Sequence, residues 1–194
     1  MMPILETERL IIKAGTIEDY VIVHEYDFNY LMNIDGVFEY VKRDPNEVRG
    51  WFSSSIETFY KEIKTKNHYN FIVYLKNQEV PIGNISFDRN IEKIKSTEVA
   101  CYLHPAYWGN AYTKEALIKC MEYLFNNGFK NIIYGYDEGN DKSQKLCKKL
   151  GFESYKQIEE ANYLGNISTT YKTIMSKEKF YQLYPNISNK SKAQ

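Results

Sequence analysis

The chain has 194 residues, of which 43% are hydrophobic and 26% charged, a composition that suits one globular domain with a sizeable core. Its 25 basic and 25 acidic residues give a formal net charge of zero, which argues against sequence-independent binding to nucleic acid, because such binding requires a basic face. There is no run of 18 apolar residues and no N-terminal signal pattern, so we expect neither a membrane span nor secretion.

The first part of the sequence predicts one strand and then two helices. The segment at residues 9–13 is short and contains adjacent β-branched residues, which is typical of a strand. Thr16 with Asp19 three residues later matches a helix start, and so does Asp44 followed by Pro45 at the first helical position. Apolar residues recur at helical spacing after this second start.

Beyond the second helix the apolar period changes to that of strands. Residues 69–76, 80–88 and about 96–104 predict three strands, and the connections between them are short enough to require antiparallel neighbours. An amphipathic helix then ends near Gly128. The strand predicted at residues 130–136 should be parallel to the one before that helix, because a crossover joins them.

The C-terminal part predicts another helix, which opens at Asn140 or Asp141 and closes at Gly151, and then a strand pair at residues 152–162 and 168–176. These elements predict a single α+β domain whose mixed central sheet of about seven strands is flanked by helices. We assign residues 1–178 to this domain and residues 179–194 to a partly disordered tail.

Cysteine and histidine usage gives no sign of a metal site or of disulfides. The three cysteines are scattered, which indicates reduced thiols in a cytoplasmic protein, and the three histidines have no ligand-like spacing to other residues. The glycine-rich signatures of phosphate-binding loops and dinucleotide folds and the nucleophile elbow of hydrolases are also absent.

One stretch, residues 104–117 (HPAYWGNAYTKEAL), places small side chains at the mouth of a predicted helix. The first N–H groups of a helix have no intrahelical acceptor, and the dipole is positive at that end. A diphosphate can therefore bind there if small residues let the backbone come close. The alternative is an ordinary strand-to-helix turn with no ligand.

A second stretch, residues 139–152 (GNDKSQKLCKKLGF), favours the ligand. In order and spacing, the two stretches resemble the GCN5-related N-acetyltransferase (GNAT) superfamily, and in particular its ribosomal-protein N-terminal acetyltransferase branch, whose members typically show YWGKGYATEA at the first site. The resemblance covers roughly residues 7–178. It implies an acetyl-CoA-dependent N-acetyltransferase that needs no metal.

The resemblance also implies which residues bind acetyl-CoA. The loop that holds the diphosphate would be formed by Trp108, Gly109, Asn110, Ala111, Tyr112 and Thr113. The pantetheine arm would bind the backbone of Cys101, Tyr102 and Leu103, because it is amide-rich and imitates an added strand. Asn140 would contact the cofactor, and Ser143 would lie near the thioester sulfur.

This chain departs from the family pattern within the loop. The usual second glycine is Ala111, the usual lysine is Asn110, and the usual alanine or glycine is Thr113. Ala111 is harmless if its φ is negative, and costs about 1 kcal/mol or more if the turn requires the left-handed region. A catalytically degenerate acyl-CoA-binding regulatory module is therefore the alternative function.

The family reaction is direct attack of an amine on the thioester, which requires a base. Glu98 is the candidate, and the alternative is a solvated glutamate that pairs with a lysine of residues 93–95. The branch's other usual acid is Asn162 here, so Glu159 or Glu160 acting through water is a second choice. Ser143 would steady the sulfur, helped by a nearby tyrosine, and a backbone N–H near Tyr102 or Leu103 would hold the oxyanion.

The acceptor is expected near the two N-terminal helices, where aromatic and acidic residues alternate. Such surfaces suit a cationic amine, which could be a small molecule or a peptide N-terminus. The candidate substrate-binding residues are Tyr26, Tyr30 and Trp51. The sequence does not set the oligomeric state, and a homodimer is left open.

Overall fold

The computed structural model describes residues 2–31, 45–65, 68–88, 95–161 and 167–187. The strands found in these residues are β1 (Leu5–Glu6), β2 (Leu10–Lys13), β3 (His68–Leu75), β4 (Val80–Asp88), β5 (Ser96–Leu103), β6 (Asn131–Asp137), β7 (Glu153–Ala161) and β8 (Ile167–Ser176). The helices found there are α1 (Ile17–Leu31), α2 (Pro45–Thr65), α3 (Tyr112–Asn126), α4 (Asp141–Leu150) and α5 (Lys177–Leu183), with a short 3-10 turn at Pro105–Tyr107.

The strands form a mixed sheet in the order β1-β2-β3-β4-β5-β6-β8-β7. β5 pairs with β6 in parallel, and β6 and β7 each pair with β8 antiparallel, which confirms the predicted α+β fold. Among the described residues the sheet has eight strands, one more than predicted, because the two-residue β1 pairs with β2, Leu5 lying opposite Ile12. Two residues are too few to show a strand period, so the sequence did not predict β1.

The described residues divide into two compact units. The first unit comprises residues 1–90 and 100–119, as far as they are described, and its core includes Tyr20, Val23, Phe59, Ile72 and Tyr74. The second comprises residues 91–99 and 120–194, with the same restriction, and buries Phe125, Ile132, Leu150, Met175 and Phe180. The apolar faces predicted for the helices contribute to both cores.

Capping side chains fix the starts of two predicted helices. The Asp19 carboxylate accepts the Thr16 backbone N–H at 2.8 Å, and the Thr16 hydroxyl accepts the Asp19 N–H at 3.2 Å. Asn140 Oδ1 accepts the Ser143 N–H at 3.1 Å at the start of α4, and Gly151 closes that helix with φ +87°. Pro45 begins α2 as predicted, and its proposed cap, Asp44, lies outside the described residues.

A short helix, α5, crosses the domain boundary that we drew at residue 178. Ser176 caps it by accepting the Lys179 N–H at 3.2 Å, and Phe180 is fully buried with its ring centroid 5.1 Å from that of Phe125. Seven residues with one buried aromatic give too few turns for a periodic signal. Packed structure therefore continues beyond the predicted boundary.

Candidate active site

The loop between β5 and α3 is closed by hydrogen bonds to the end of the strand. The Trp108 indole N–H donates to the Leu103 carbonyl at 2.7 Å, and the His104 backbone N–H donates to the Ile82 carbonyl of β4 at 2.8 Å. The chain then passes through three exposed residues, 109–111, before α3 begins. The loop is thus anchored where it leaves the strand and open where it meets the helix.

Two residues of this loop adopt left-handed backbone conformations, Gly109 with φ +80° and Ala111 with φ +61°. A Cβ placed on Gly109 would meet no heavy atom within 4 Å, so the space beside the backbone is open. Ala111 stands where the family's second glycine is usual, and its positive φ is the unfavourable one of the two cases considered above. The substitution carries a backbone strain of about 1–2 kcal/mol.

Asn110 turns its side chain back into the loop. Its amide donates to the carbonyls of Tyr107 at 3.3 Å and Trp108 at 3.1 Å. Its backbone carbonyl accepts a hydrogen bond from Arg9 Nη2 at 3.1 Å. Asn110 therefore shapes the loop, and the Arg9 guanidinium lies beside it.

Arg9 and Thr7, in the turn between β1 and β2, bind the carboxylate of Glu115 in the first turn of α3. Arg9 Nη2 lies 2.5 Å from Glu115 Oε2, Arg9 Nε donates to the same oxygen at 2.8 Å, and the Thr7 hydroxyl donates to Oε1 at 2.5 Å. Burial raises the pKa of Glu115, but the hydrogen bonds from Thr7 and Arg9 outweigh it and hold that pKa below its usual value.

The strand segment expected to bind pantetheine is held from two sides. A Cβ on Gly83 of β4 would lie 2.4 Å from the Tyr102 carbonyl oxygen, so a glycine is needed for this approach. The Tyr102 ring stacks on His24 of α1 with centroids 4.2 Å apart, and His24 Nε2 lies 2.9 Å from Asn84 Oδ1. The Tyr102 backbone is therefore fixed by packing on both β4 and α1.

The parallel pairing of β5 with β6 covers only the first half of β5, from Ser96 opposite Asn131 to Val99 opposite Tyr134. Cys101, Tyr102 and Leu103 come after it in the strand, and Cys101 is half-buried and not part of a disulfide. These three residues therefore lie beyond the β5–β6 register, in the segment that the family resemblance assigns to the pantetheine arm.

Glu98 is ion-paired with Lys172 of β8, whose Nζ lies 2.6 Å from Glu98 Oε1. Parallel β5–β6 pairing and antiparallel β6–β8 pairing place Lys172 on the same face as Glu98. Of the lysines at residues 93–95, considered above as the alternative partner, Lys93 lies outside the described residues. A Cβ on Gly135 of β6 would lie 2.9 Å from Glu98 Oε1 and 3.0 Å from Lys172 Nζ. The glycine gives the ion pair room above the strand.

Ser143 lies half-buried in the first turn of α4, beside a tyrosine. The Tyr134 hydroxyl is 3.4 Å from Ser143 Oγ, so Tyr134 is a candidate for the nearby tyrosine that the sequence left unnamed. Asn140, predicted to contact the cofactor, uses its Oδ1 to cap the helix through the Ser143 N–H. The cap fixes Ser143 in the first turn of α4.

Comparison with known proteins identifies the family of the chain. The family model "Acetyltransferase (GNAT) domain" matches residues 9–153. The chain belongs to the GNAT acetyltransferase family. The uncharacterized N-acetyltransferase YoaA of Bacillus subtilis is 28% identical over 174 residues, which cover 89% of this chain and 94% of YoaA. The chain is accordingly an N-acetyltransferase.

Solved structures share this GNAT fold. A GNAT acetyltransferase from Bacillus anthracis has a TM-score of 0.68 at 22% identity, with 91% of this chain and 99% of that chain covered. The ribosomal-protein-S5-alanine acetyltransferase from Vibrio fischeri has a TM-score of 0.66 at 19% identity, with 92% and 98% covered.

Some predicted site residues of this GNAT chain stay predictions. Tyr26 and Tyr30 lie in α1 and Trp51 lies in α2, and their side chains are outside the described part of the structure. Asn162 and the Glu160 side chain are outside it as well, and Glu159 is exposed in β7. In the described ranges no group of three or more potential metal ligands occurs, and no helix there is long and apolar enough to cross a membrane.

Sequence reasoning missed the contacts that Thr7 and Arg9 make with Glu115 and that Lys172 makes with Glu98. Arg9 and Glu115 are 106 residues apart, and Lys172 and Glu98 are 74 apart, so no local pattern connects them. A glycine at 135, inside a β-branched strand, is the one sequence signal that could have indicated a close approach.

Proposed function

We propose that this N-acetyltransferase moves an acetyl group from acetyl-CoA to a primary amine, by direct attack in a ternary complex. The observation that carries the proposal is the exposed loop before α3, whose left-handed Gly109 and Ala111 and open space bring the helix N-terminus within reach of a diphosphate. The acceptor class is a small amine or a peptide N-terminus.

Two parts of the chain would bind the cosubstrate. The diphosphate would accept hydrogen bonds from the first amides of α3, Tyr112 and Thr113 among them, with Trp108 bracing the loop. The pantetheine arm would run along Cys101–Leu103, beyond the β5–β6 pairing. A backbone N–H of Tyr102 or Leu103 would donate to the thioester oxygen as it becomes an oxyanion.

The acceptor amine must lose a proton before it attacks. A lysine-like ammonium has a pKa of about 10.4 and an α-ammonium of about 8, so both are mostly protonated at neutral pH. Glu98 would take this proton, directly or through water, while Lys172 holds one of its two carboxylate oxygens. The second oxygen is the one that would face the amine.

The leaving thiolate needs less assistance than the amine. A thiol has a pKa of about 8.5, so it departs readily once the tetrahedral intermediate collapses. Ser143 and the Tyr134 hydroxyl would hydrogen-bond the sulfur. Loss of Ser143 should therefore slow turnover modestly, by less than the loss of Glu98.

Thiol release from acetyl-CoA with a panel of amines tests the proposal. Amine-dependent CoA production supports it, and Glu98→Gln should then lower kcat at neutral pH by roughly 10²-fold or more, the usual contribution of a general base, with acetyl-CoA affinity unchanged. Glu153→Gln is the matched control, because Glu153 is also an exposed strand glutamate that pairs with a lysine, Lys179, at 2.5 Å.

Two outcomes would contradict parts of this assignment. Equal kinetics for Glu98→Gln and wild type across the pH range would remove Glu98 from the role of base. Acetyl-CoA binding with no amine-dependent release for any amine would favour the acyl-CoA-binding regulatory module instead.

A further inference from the structure

A carboxylate in the first turn of α3 is unfavourable for a diphosphate at the same helix end. Glu115 is the fourth residue of α3, and its side chain is 21% exposed. Negative charge near a helix N-terminus stabilises the helix, but it also competes with an anionic ligand for the same amides and repels that ligand. The proposed cosubstrate therefore requires that this charge be neutralised within the protein.

Arg9 supplies that neutralisation. Its guanidinium donates to Glu115 Oε2 through Nε at 2.8 Å and through Nη2 at 2.5 Å, and its backbone N–H lies 3.3 Å from Oε1. The Thr7 hydroxyl donates a hydrogen bond to the other carboxylate oxygen, Oε1, at 2.5 Å. Both carboxylate oxygens are thus engaged on the side of the β1–β2 turn.

Arg9 also contacts the loop itself. Nη2 donates to the Asn110 carbonyl at 3.1 Å, and the guanidinium carbon lies 4.5 Å from the centroid of the Tyr112 ring. The Asn110 carbonyl belongs to the peptide that precedes Ala111, whose left-handed φ is strained. Strained residues persist where surrounding contacts fix them, and this hydrogen bond fixes one side of that peptide.

Resting on the proposed function, we infer that Arg9 is a positioning residue for the cosubstrate diphosphate: it neutralises Glu115 and holds the loop at Asn110. Its guanidinium contacts the loop at Asn110 and Tyr112, and residue 110 itself is neutral in this chain. The contribution should appear with ligands that carry the diphosphate and be absent with ligands that lack it.

Calorimetric titration of the full chain with CoA, and displacement with pantetheine, which lacks the diphosphate and nucleotide, tests this inference. Arg9→Gln should weaken CoA binding about tenfold, while Arg9→Lys should stay within about threefold, because it keeps the charge. Pantetheine affinity should be unchanged in both variants. Lys76→Gln is the matched control, because it breaks an exposed Lys–Glu ion pair of 2.7 Å at the same turn with the same change of net charge.

Removing the carboxylate separates charge compensation from folding. Adding Glu115→Gln to Arg9→Gln should recover about threefold or more of the lost CoA affinity, since an uncompensated charge near the ligand is removed. Glu115→Gln alone should bind CoA at least as tightly as wild type, and this arm decides the question if Arg9→Gln does not fold.

The failures are distinguishable. If Arg9→Gln matches Lys76→Gln with CoA, if it weakens pantetheine by the same factor as CoA, or if Glu115→Gln alone weakens CoA, Arg9 has no role specific to the diphosphate. If the wild-type chain gives no heat with CoA, the proposed function itself is wrong.

Discussion

At the scale of single residues, Ala111 has a backbone conformation that is strained for alanine and would not be strained for glycine. Its φ of +61° is the left-handed region, which L side chains with a Cβ rarely adopt. The loop keeps the conformation because both ends are held, by Trp108 at the strand and by Arg9 at Asn110. The strain is therefore local to this loop, and a glycine at the same position would relieve it.

Ala111→Gly should stabilise the protein. Relief of the left-handed strain, about 1–2 kcal/mol, exceeds the extra freedom of glycine in the unfolded chain, about 0.4–1 kcal/mol, so the net gain should be about 0.5–1 kcal/mol. Urea unfolding monitored by circular dichroism measures it.

The control for this prediction is the opposite substitution, glycine to alanine, two residues earlier in the loop. Gly109→Ala should destabilise by a similar amount through the backbone alone, because φ is +80° and a new Cβ there meets no atom within 4 Å. Equal stability of both variants and wild type would show that the loop relaxes without strain.

At the scale of elements, the turn between β1 and β2 clamps the start of α3. Thr7 and Arg9 reach Glu115 over more than 100 residues of sequence, and the same turn hydrogen-bonds Leu10 through the Thr7 hydroxyl at 2.9 Å. A hairpin with a two-residue first strand would be marginal alone, so contact with α3 stabilises it.

This clamp should make stability depend on pH. Because the contacts lower the pKa of Glu115 in the folded chain, its contribution is complete above the ordinary value of 4.5 and is lost as pH falls through the lowered value. Melting temperatures of wild type and Glu115→Gln should therefore differ at pH 6–7, and the difference should shrink as the pH is lowered below 4.5. A difference that stays constant across this range would mean that the clamp does not depend on the charge.

At the scale of the whole molecule, the sequence predicted the features that depend on neighbouring residues and missed the contacts between residues far apart in the chain. The strand and helix periods, Gly151 and the caps at Thr16 and Asn140 were readable, because each depends on neighbours a few residues away. The loop before α3 was predicted as a site from its small residues and from family likeness. Its Arg9–Glu115 clamp and the Glu98–Lys172 pair depend on sheet register and tertiary contact, which a single sequence does not specify.

Helix α5 was also not predicted from the sequence, and the packing of its aromatic residues gives a prediction about stability. Phe180 is fully buried, with ring contacts to Phe125, Tyr181 and Tyr184, so Phe180→Ala should lower the free energy of unfolding by about 3–5 kcal/mol. Leu183→Ala, on the same helix but 48% exposed, should cost about 1 kcal/mol or less. Chemical denaturation of both variants checks this, and similar losses would mean that α5 is only weakly attached.

The Trp108 indole, which is held in the loop by its hydrogen bond to the Leu103 carbonyl, gives the enzyme an intrinsic fluorescent reporter. Trp108 is one of two tryptophans in the chain, and it lies in the loop assigned to the diphosphate. Replacing Trp51 by phenylalanine would leave a single emitter there. Its fluorescence spectrum should shift or quench as CoA is added, so ligand occupancy could be followed in real time without any label and before an acceptor amine is known.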